Sequence, residues 1–245
     1  MLEAKEYSFS GPTTAPAGVV TIKLNNTGKL PHQAQLAKLA DGKSVQDVVA
    51  ALTAGDLGTA FGMLTLAGGP NEVPAGATGT TTQVLDAGNY AVLSFTQDAQ
   101  RVSDFAKGMV TGFTVTGTAA GTLPAGDAQL GLQDFSFVGL DTLTPGTHEV
   151  HVTNKGPQSH EAGVLKLPPG MSIADLQRLA VSASPGPELA SVTSVGGISA
   201  IKPGSEATFQ IDLPAGSYAF ACFVPDPSVG KNHFELGMVT ALTVK

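Results

Sequence analysis

Ala215-Gly216-Ser217-Tyr218-Ala219-Phe220-Ala221-Cys222 decides the fold, because its opening is a second copy: Ala87-Gly88-Asn89-Tyr90 lies 128 residues before Ala215-Gly216-Ser217-Tyr218. Outward from that stretch, the same interval of 128 relates Tyr7-Ser8-Phe9 to Phe135-Ser136-Phe137, Asn26-Thr27-Gly28 to Asn154-Lys155-Gly156, His32 to His160 and Gly69 to Gly197. Gly108-Met109-Val110 and Gly237-Met238-Val239 are 129 apart, so about one residue has been gained between Tyr218 and Met238. A register held over that length is an internal duplication. Between the copies, Gly117 to Asp127 is small, polar and turn-forming, as a domain boundary is. The expected organisation is a domain over residues 1–116, a linker over 117–133 and a second domain over 134–245.

Within each copy short alternating segments are bounded by Gly, Pro and Asn. Val20, Ile22 and Leu24, and their counterparts His148, Val150 and Val152, put one face inward and the other toward water. Tyr218, Phe220 and Cys222 share a face of a later strand, and Met238, Leu242 and Val244 share a face of the last. One helical pattern recurs: Ser44 with Asp47 and Ser172 with Asp175 are a hydroxyl cap and a carboxylate three residues on. Val45, Val48, Val49 and Leu52, and likewise Ile173, Leu176 and Leu179, follow at helical spacing. The prediction is a mainly β protein of two tandem Greek-key β-sandwiches, each with a short helix in a long cross-over loop.

Composition bounds the function. Thirteen Lys+Arg against twenty Asp+Glu give a net charge of −7, which argues against nucleic-acid binding. Thirty Gly and sixteen Pro imply many tight turns, and 42% apolar residues supply a core. The one cysteine, Cys222, rules out an intrachain disulfide and a thiol-rich cluster. No apolar run reaches the roughly 18 residues a transmembrane helix needs, and Met1 to Lys5 lacks the hydrophobic stretch of a secretory signal. Few Lys, abundant Thr and Gly, and acidic charge lead us to expect an extracytoplasmic protein.

The second copy closes with Cys222 at a strand end, His233 in the following loop and Met238 at the start of the last strand. His160 follows an earlier strand that a Greek key can end at the same pole. Two His, one Cys and one Met form the donor set of a mononuclear copper electron-transfer site, since thiolate and thioether favour Cu(I) while imidazole tolerates Cu(II). The Asn-x-Gly-x-x-x-His lead, the Gly-x-Tyr-x-Phe-x-Cys strand and the His-x-x-x-x-Met-Val end resemble the cupredoxins, the plastocyanin and azurin-like blue copper proteins. The resemblance implies one copper ion with equatorial ligands His160, Cys222 and His233 and a long axial Met238. In the first copy His32 and Met109 remain, but Ser94 replaces the Cys and Asp104 the second His, so no blue copper site is expected there. Ten residues separate Cys222 from His233, more than the family usually places there, and Glu161 follows His160 where many members carry Asn.

Against the copper reading stands a metal-free one, in which the same four residues are a buried Cys, a core Met and two hydrogen-bonded histidines, and the tandem fold serves binding or architecture. Zinc is a third possibility if Glu161 rather than Met238 is within reach. His148 and His151 are three apart on a strand, point to opposite faces and are expected to be structural. Glu161 and Glu235 are read as surface charges first and as hydrogen-bond acceptors for the ligand rings second; Asp226, between two prolines, is a turn residue. Five histidines, with no His-x-His pair, fall short of what resemblance to multicopper oxidases or nitrite reductases requires, and Ala221 and Phe223 flank the cysteine. Enzyme activity by this chain alone is therefore not expected. The expected partner is a redox protein or a copper donor, steered by the acidic charge toward a basic surface.

Overall fold

Alternation in Leu2–Lys5 buries Leu2 and Ala4 and leaves Glu3 and Lys5 in water, and the same rule builds most of the chain. The computed structural model describes residues 1–98, 100–180, 182, 188–226 and 228–245. In the first half the strands are β1 (Leu2–Lys5), β2 (Ser8–Ser10), β3 (Thr14–Pro16), β4 (Gly18–Asn26), β5 (Gln35–Leu39), β6 (Leu64–Leu66), β7 (Thr78–Leu85), β8 (Gly88–Leu93) and β9 (Val110–Thr116). In the second they are β10 (Ala128–Gln133), β11 (Ser136–Val138), β12 (Gly146–Asn154), β13 (His160–Leu167), β14 (Thr193–Ile201), β15 (Glu206–Leu213), β16 (Gly216–Ala221), β17 (Pro225–Asp226), β18 (Lys231–Asn232) and β19 (Val239–Val244). Helices α1 (Val45–Thr53) and α2 (Leu57–Gly62) lie between β5 and β6, and α3 (Ile173–Ala180) between β13 and β14.

Each half is a two-layer, cupredoxin-like β-sandwich whose chain crosses repeatedly from one sheet to the other. In the first half, β2-β1-β4-β7 packs on β3-β9-β8-β5-β6. Leu2, Ala4 and Leu24 of one layer meet Val92 and Met109 in one buried cluster. In the second half, β11-β10-β12-β15 packs on β14-β13-β16-β19, and Val150, Val152 and Phe209 meet Phe220, Cys222 and Met238. The opposite face of β16 is buried as well, since Ala219 and Ala221 pack with Leu176 of α3 and with Phe234. Both predicted helix caps form: Ser44 and Asp47 make a reciprocal capping box, and Ser172 and Asp175 exchange the same bonds.

The halves share one sheet. Strand β7 and its counterpart β15 pair antiparallel, Gln83 opposite Ala207 and Thr81 opposite Phe209, giving an eight-stranded order β11-β10-β12-β15-β7-β4-β1-β2. Beside this seam the backbone is cross-linked symmetrically: Ser199 N donates to Gly69 O at 2.8 Å and Asn71 N donates to Gly197 O at 3.2 Å. Gly69 (φ +105°) and Gly197 (φ +124°) have left-handed backbone, and a Cβ on either would run into the carbonyl of Ala34 or Ala162. That close approach explains why both copies keep glycine here.

Two expectations need correcting. The stretch 117–133 is not all linker, because Ala128–Gln133 is β10, paired parallel with β12 and antiparallel with β11. The first half also has a second helix, α2, capped by Asp56, whose carboxylate accepts from Thr59 N at 3.0 Å. Among the described residues no helix is long and apolar enough to cross a membrane.

Candidate metal centre

The approach to His160 is set by Asn154. Its Nδ2 donates to the carbonyls of Gln158 and Ile201 at 2.8 and 2.9 Å, and its Oδ1 accepts from Gly156 N at 3.0 Å, which curls the chain between β12 and β13. Asn26 performs the same task in the first half, bonding Leu30 O, Val73 O and Gly28 N. The long segment after Cys222 folds into the β17–β18 hairpin and returns. His233 N donates to Val224 O at 2.9 Å, Cys222 N to Met238 O at 3.2 Å and Met238 N to His233 O at 2.8 Å. The ten-residue spacing is thus taken up by a hairpin, and His233 is brought back to the pole.

His160, Cys222 and His233 are fully buried and converge. The Nδ1 atoms of the two rings are 3.0 Å apart, and Cys222 Sγ lies 3.4 Å from His233 Nδ1 and 3.9 Å from His160 Nδ1. A triangle with these sides has its circumcentre about 2.0 Å from each corner, at metal–nitrogen distance and a few tenths of an ångström inside metal–sulfur distance. The cluster is therefore positioned to hold a metal ion.

The outer ring nitrogens are occupied. His160 Nε2 donates to Asp134 Oδ1 at 2.5 Å and His233 Nε2 to Gln158 Oε1 at 3.0 Å, while Gln158 Nε2 donates to Asp226 Oδ2 at 3.0 Å. A proton held on Nε2 leaves the Nδ1 lone pair facing inward, the form a metal ligand needs. Burial lowers the pKa of His160, and burial followed by the neighbouring His160 lowers that of His233 to about 4, so both rings are neutral near pH 7. Burial, with Glu161 nearby, pushes the Cys222 thiol up, so metal uptake must displace its proton. Phe135 closes the pole, its ring centre 4.9 Å from that of His233.

Glu161 is neither a surface charge nor an acceptor for a ligand ring. It is buried; its N donates to Cys222 Sγ at 3.4 Å, and its Oε1 accepts from Phe223 N at 2.8 Å. Its Oε2 accepts from Asn71 Nδ2 at 3.0 Å and lies 3.5 Å from Gln33 Nε2. Burial pushes its pKa up to about 7. Glu235 is exposed and accepts from Asn232 N. Asp226 does turn the chain, bonding Ser228 N and Oγ at 2.7 and 2.6 Å. Gln33, Asn71 and Glu161 also line a cleft of about 970 Å³ between the halves, walled by Phe61, Phe95 and Phe223. His148 holds Asp127 and Thr144 O, and His151 holds Pro124 O, as expected of structural residues.

The first half keeps the frame and changes the donors. Ser94 N donates to Met109 O, Met109 N to Asp104 O and Gln33 N to Ser94 Oγ, each the counterpart of a bond around Cys222. In place of a metal-ligand set, Asp104 Oδ2 accepts from His32 Nδ1 at 2.8 Å and from Ser94 Oγ at 2.9 Å. The cluster closes on itself. Sequence reading missed Asp134, Gln158, Asn71 and Gln33 as partners. For Asp134 a signal existed: Glu6 stands 128 residues earlier, its Oε1 3.8 Å from His32 Nε2.

No known protein-family pattern and no curated protein matches the chain. Among solved structures it is similar to a dithionite-reduced auracyanin from Roseiflexus castenholzii, 22% identical over 48% of this chain and 94% of that one, with a TM-score of 0.33. A multicopper oxidase is 14% identical over 100% of this chain and 87% of that one, with a TM-score of 0.28. A copper nitrite reductase from Nitrosomonas europaea is 15% identical over 100% and 92%, with a TM-score of 0.27. The duplicated cupredoxin-like sandwich itself is read from the strand order and pairing of this chain.

Proposed function

We propose that this is a tandem cupredoxin-like protein whose second half binds one mononuclear copper ion and serves electron transfer or copper handling. The observation that carries the reading is the convergence of two buried Nδ1 atoms and one Sγ on a point about 2 Å from each. His160, Cys222 and His233 would hold the ion, and Met238, buried and tied by its backbone to both Cys222 and His233, would supply a thioether beside them. Bound copper supplies a one-electron couple. The chain's own part is to hold the rings by their Nε2 atoms, to seal the pole with Phe135 and to keep a single donor arrangement for both charges, which lowers reorganisation.

Copper is favoured over zinc because Glu161, the carboxylate that would complete a zinc set, is spent on Phe223 N and Asn71. Electron transfer is favoured over oxidase chemistry because the three remaining histidines are engaged elsewhere, His32 with Asp104, His148 with Asp127 and His151 with Pro124 O. Residues 1–116 and 134–245, with β10 added to the second, form the two domains. We place the protein outside the cytoplasm, with a redox protein or copper donor as partner, in keeping with its acidic, Lys-poor composition. Reconstitution with Cu(II) tests the reading. A blue, thiolate-to-copper absorption in the wild type, lost in Cys222→Ser, is expected; a colourless wild type overturns it and leaves the metal-free module.

A further inference from the structure

We propose that Asn71 and Gln33, both in the first half, are positioning residues for the metal centre of the second, acting through Glu161. This rests on the metal-binding reading above. Glu161, the neighbour of His160, grips the Cys222 segment twice: its N donates to Cys222 Sγ at 3.4 Å, and its Oε1 accepts from the amide of Phe223, the residue after Cys222, at 2.8 Å. A shift of this carboxylate therefore moves the thiol and the backbone that aims it. The other oxygen belongs to the first half, accepting from Asn71 Nδ2 at 3.0 Å with Gln33 Nε2 at 3.5 Å.

The duplication explains the geometry. Gln33 follows His32 as Glu161 follows His160, and Gln33 Oε1 accepts from Phe95 N at 3.1 Å just as Glu161 Oε1 accepts from Phe223 N. Two equivalent clamps thus meet head to head at the seam. Two carboxylates there would repel, whereas an amide offers its NH2 to the carboxylate opposite. Asn71 and its counterpart Ser199 flank the pair, and Ser199 Oγ accepts from Gln33 Nε2 at 3.1 Å while donating to Pro70 O. The first half has no thiolate for its own clamp to serve, and its clamp instead buttresses the one that does.

The experiment uses the full chain loaded with Cu(II). Asn71→Leu removes one donor to Glu161; Gln33→Glu keeps the acceptor for Phe95 N and sets a carboxylate against Glu161. Gln35→Ala is the control, because Gln35 bonds Ala200 across the same seam without touching Glu161. Both test variants should shift the thiolate-to-copper absorption maximum and the midpoint potential and raise the copper dissociation constant about tenfold, the lower end for disturbing a residue that bonds a metal ligand, as Glu161 N bonds Cys222 Sγ. Gln35→Ala should leave all three readouts at the wild-type value. If one test variant fails to fold, the other decides. Wild-type copper binding with unchanged test variants, or an equal shift in Gln35→Ala, overturns this inference alone; no copper binding by the wild type overturns the metal reading and this one with it.

Discussion

Replacing Asp104 by alanine probes how the first half holds its pole without a metal. Oδ2 of this buried side chain accepts both from His32 Nδ1 at 2.8 Å and from Ser94 Oγ at 2.9 Å. Asp104→Ala strands two buried donors in a site where His32 Nε2 has no hydrogen-bond partner and only Glu6 Oε1 nearby, at 3.8 Å. Hydrogen bonds to charged groups contribute about 1.5–3 kcal/mol each, and two are lost here. The expected loss is therefore about 3–6 kcal/mol, roughly 6–24 °C in Tm for a chain of this size. Asp104→Asn can present its amide oxygen where Oδ2 was and keep both bonds, so its loss should be about 1 kcal/mol. Urea unfolding followed by far-UV circular dichroism measures the series. An alanine variant within about 1 kcal/mol of wild type, or an asparagine variant as damaged as the alanine one, would refute the idea that this carboxylate fills the vacant ligand position.

Three further outcomes can be checked. Ser94→Cys combined with Asp104→His should raise copper from one to two equivalents per chain by metal analysis after dialysis, since the backbone bonds around Ser94 and Met109 match those around Cys222 and Met238; a count that stays at one would show that the frames differ. Gly197→Ala should destabilise by more than about 2 kcal/mol and by more than Gly196→Ala, because both positions have positive φ but only at Gly197 does a Cβ meet backbone. Equal urea midpoints for the two variants would contradict this. Hydrogen bonds from Ser228 and Gln158 hold the Asp226 carboxyl down to about 2. Its stabilising effect is then fully present above the unfolded value near 3.9 and lost as pH falls through about 2, so Asp226→Asn should flatten the Tm profile over that interval, and unchanged slopes would count against it.

Much of this was legible because the duplication tests each assignment twice. Ser44 and Ser172 mark helices by the same cap, and Cys222 and His233 mark the pole at which the structure gathers three donor atoms. What escaped has physical causes. Gly58 and Gly62 dilute the helical pattern of α2, leaving only the Asp56 cap to announce it. Gly131 interrupts the alternation of β10, which borders a stretch of turn formers. Thr81 and Thr82 are polar yet buried, in the strand that pairs with β15 of the other half, and no local pattern encodes that pairing. Glu161 was misjudged for the same reason: its partners Asn71 and Gln33 are 90 and 128 residues away.

The seam between β7 and β15 joins counterparts, so it is self-complementary in the way a twofold dimer contact is. Either half in isolation would expose a raw strand margin that a twin molecule could fill. Stringing the two copies on one chain makes that meeting intramolecular and independent of dilution, and it lets one copy give up its metal chemistry while still completing its neighbour.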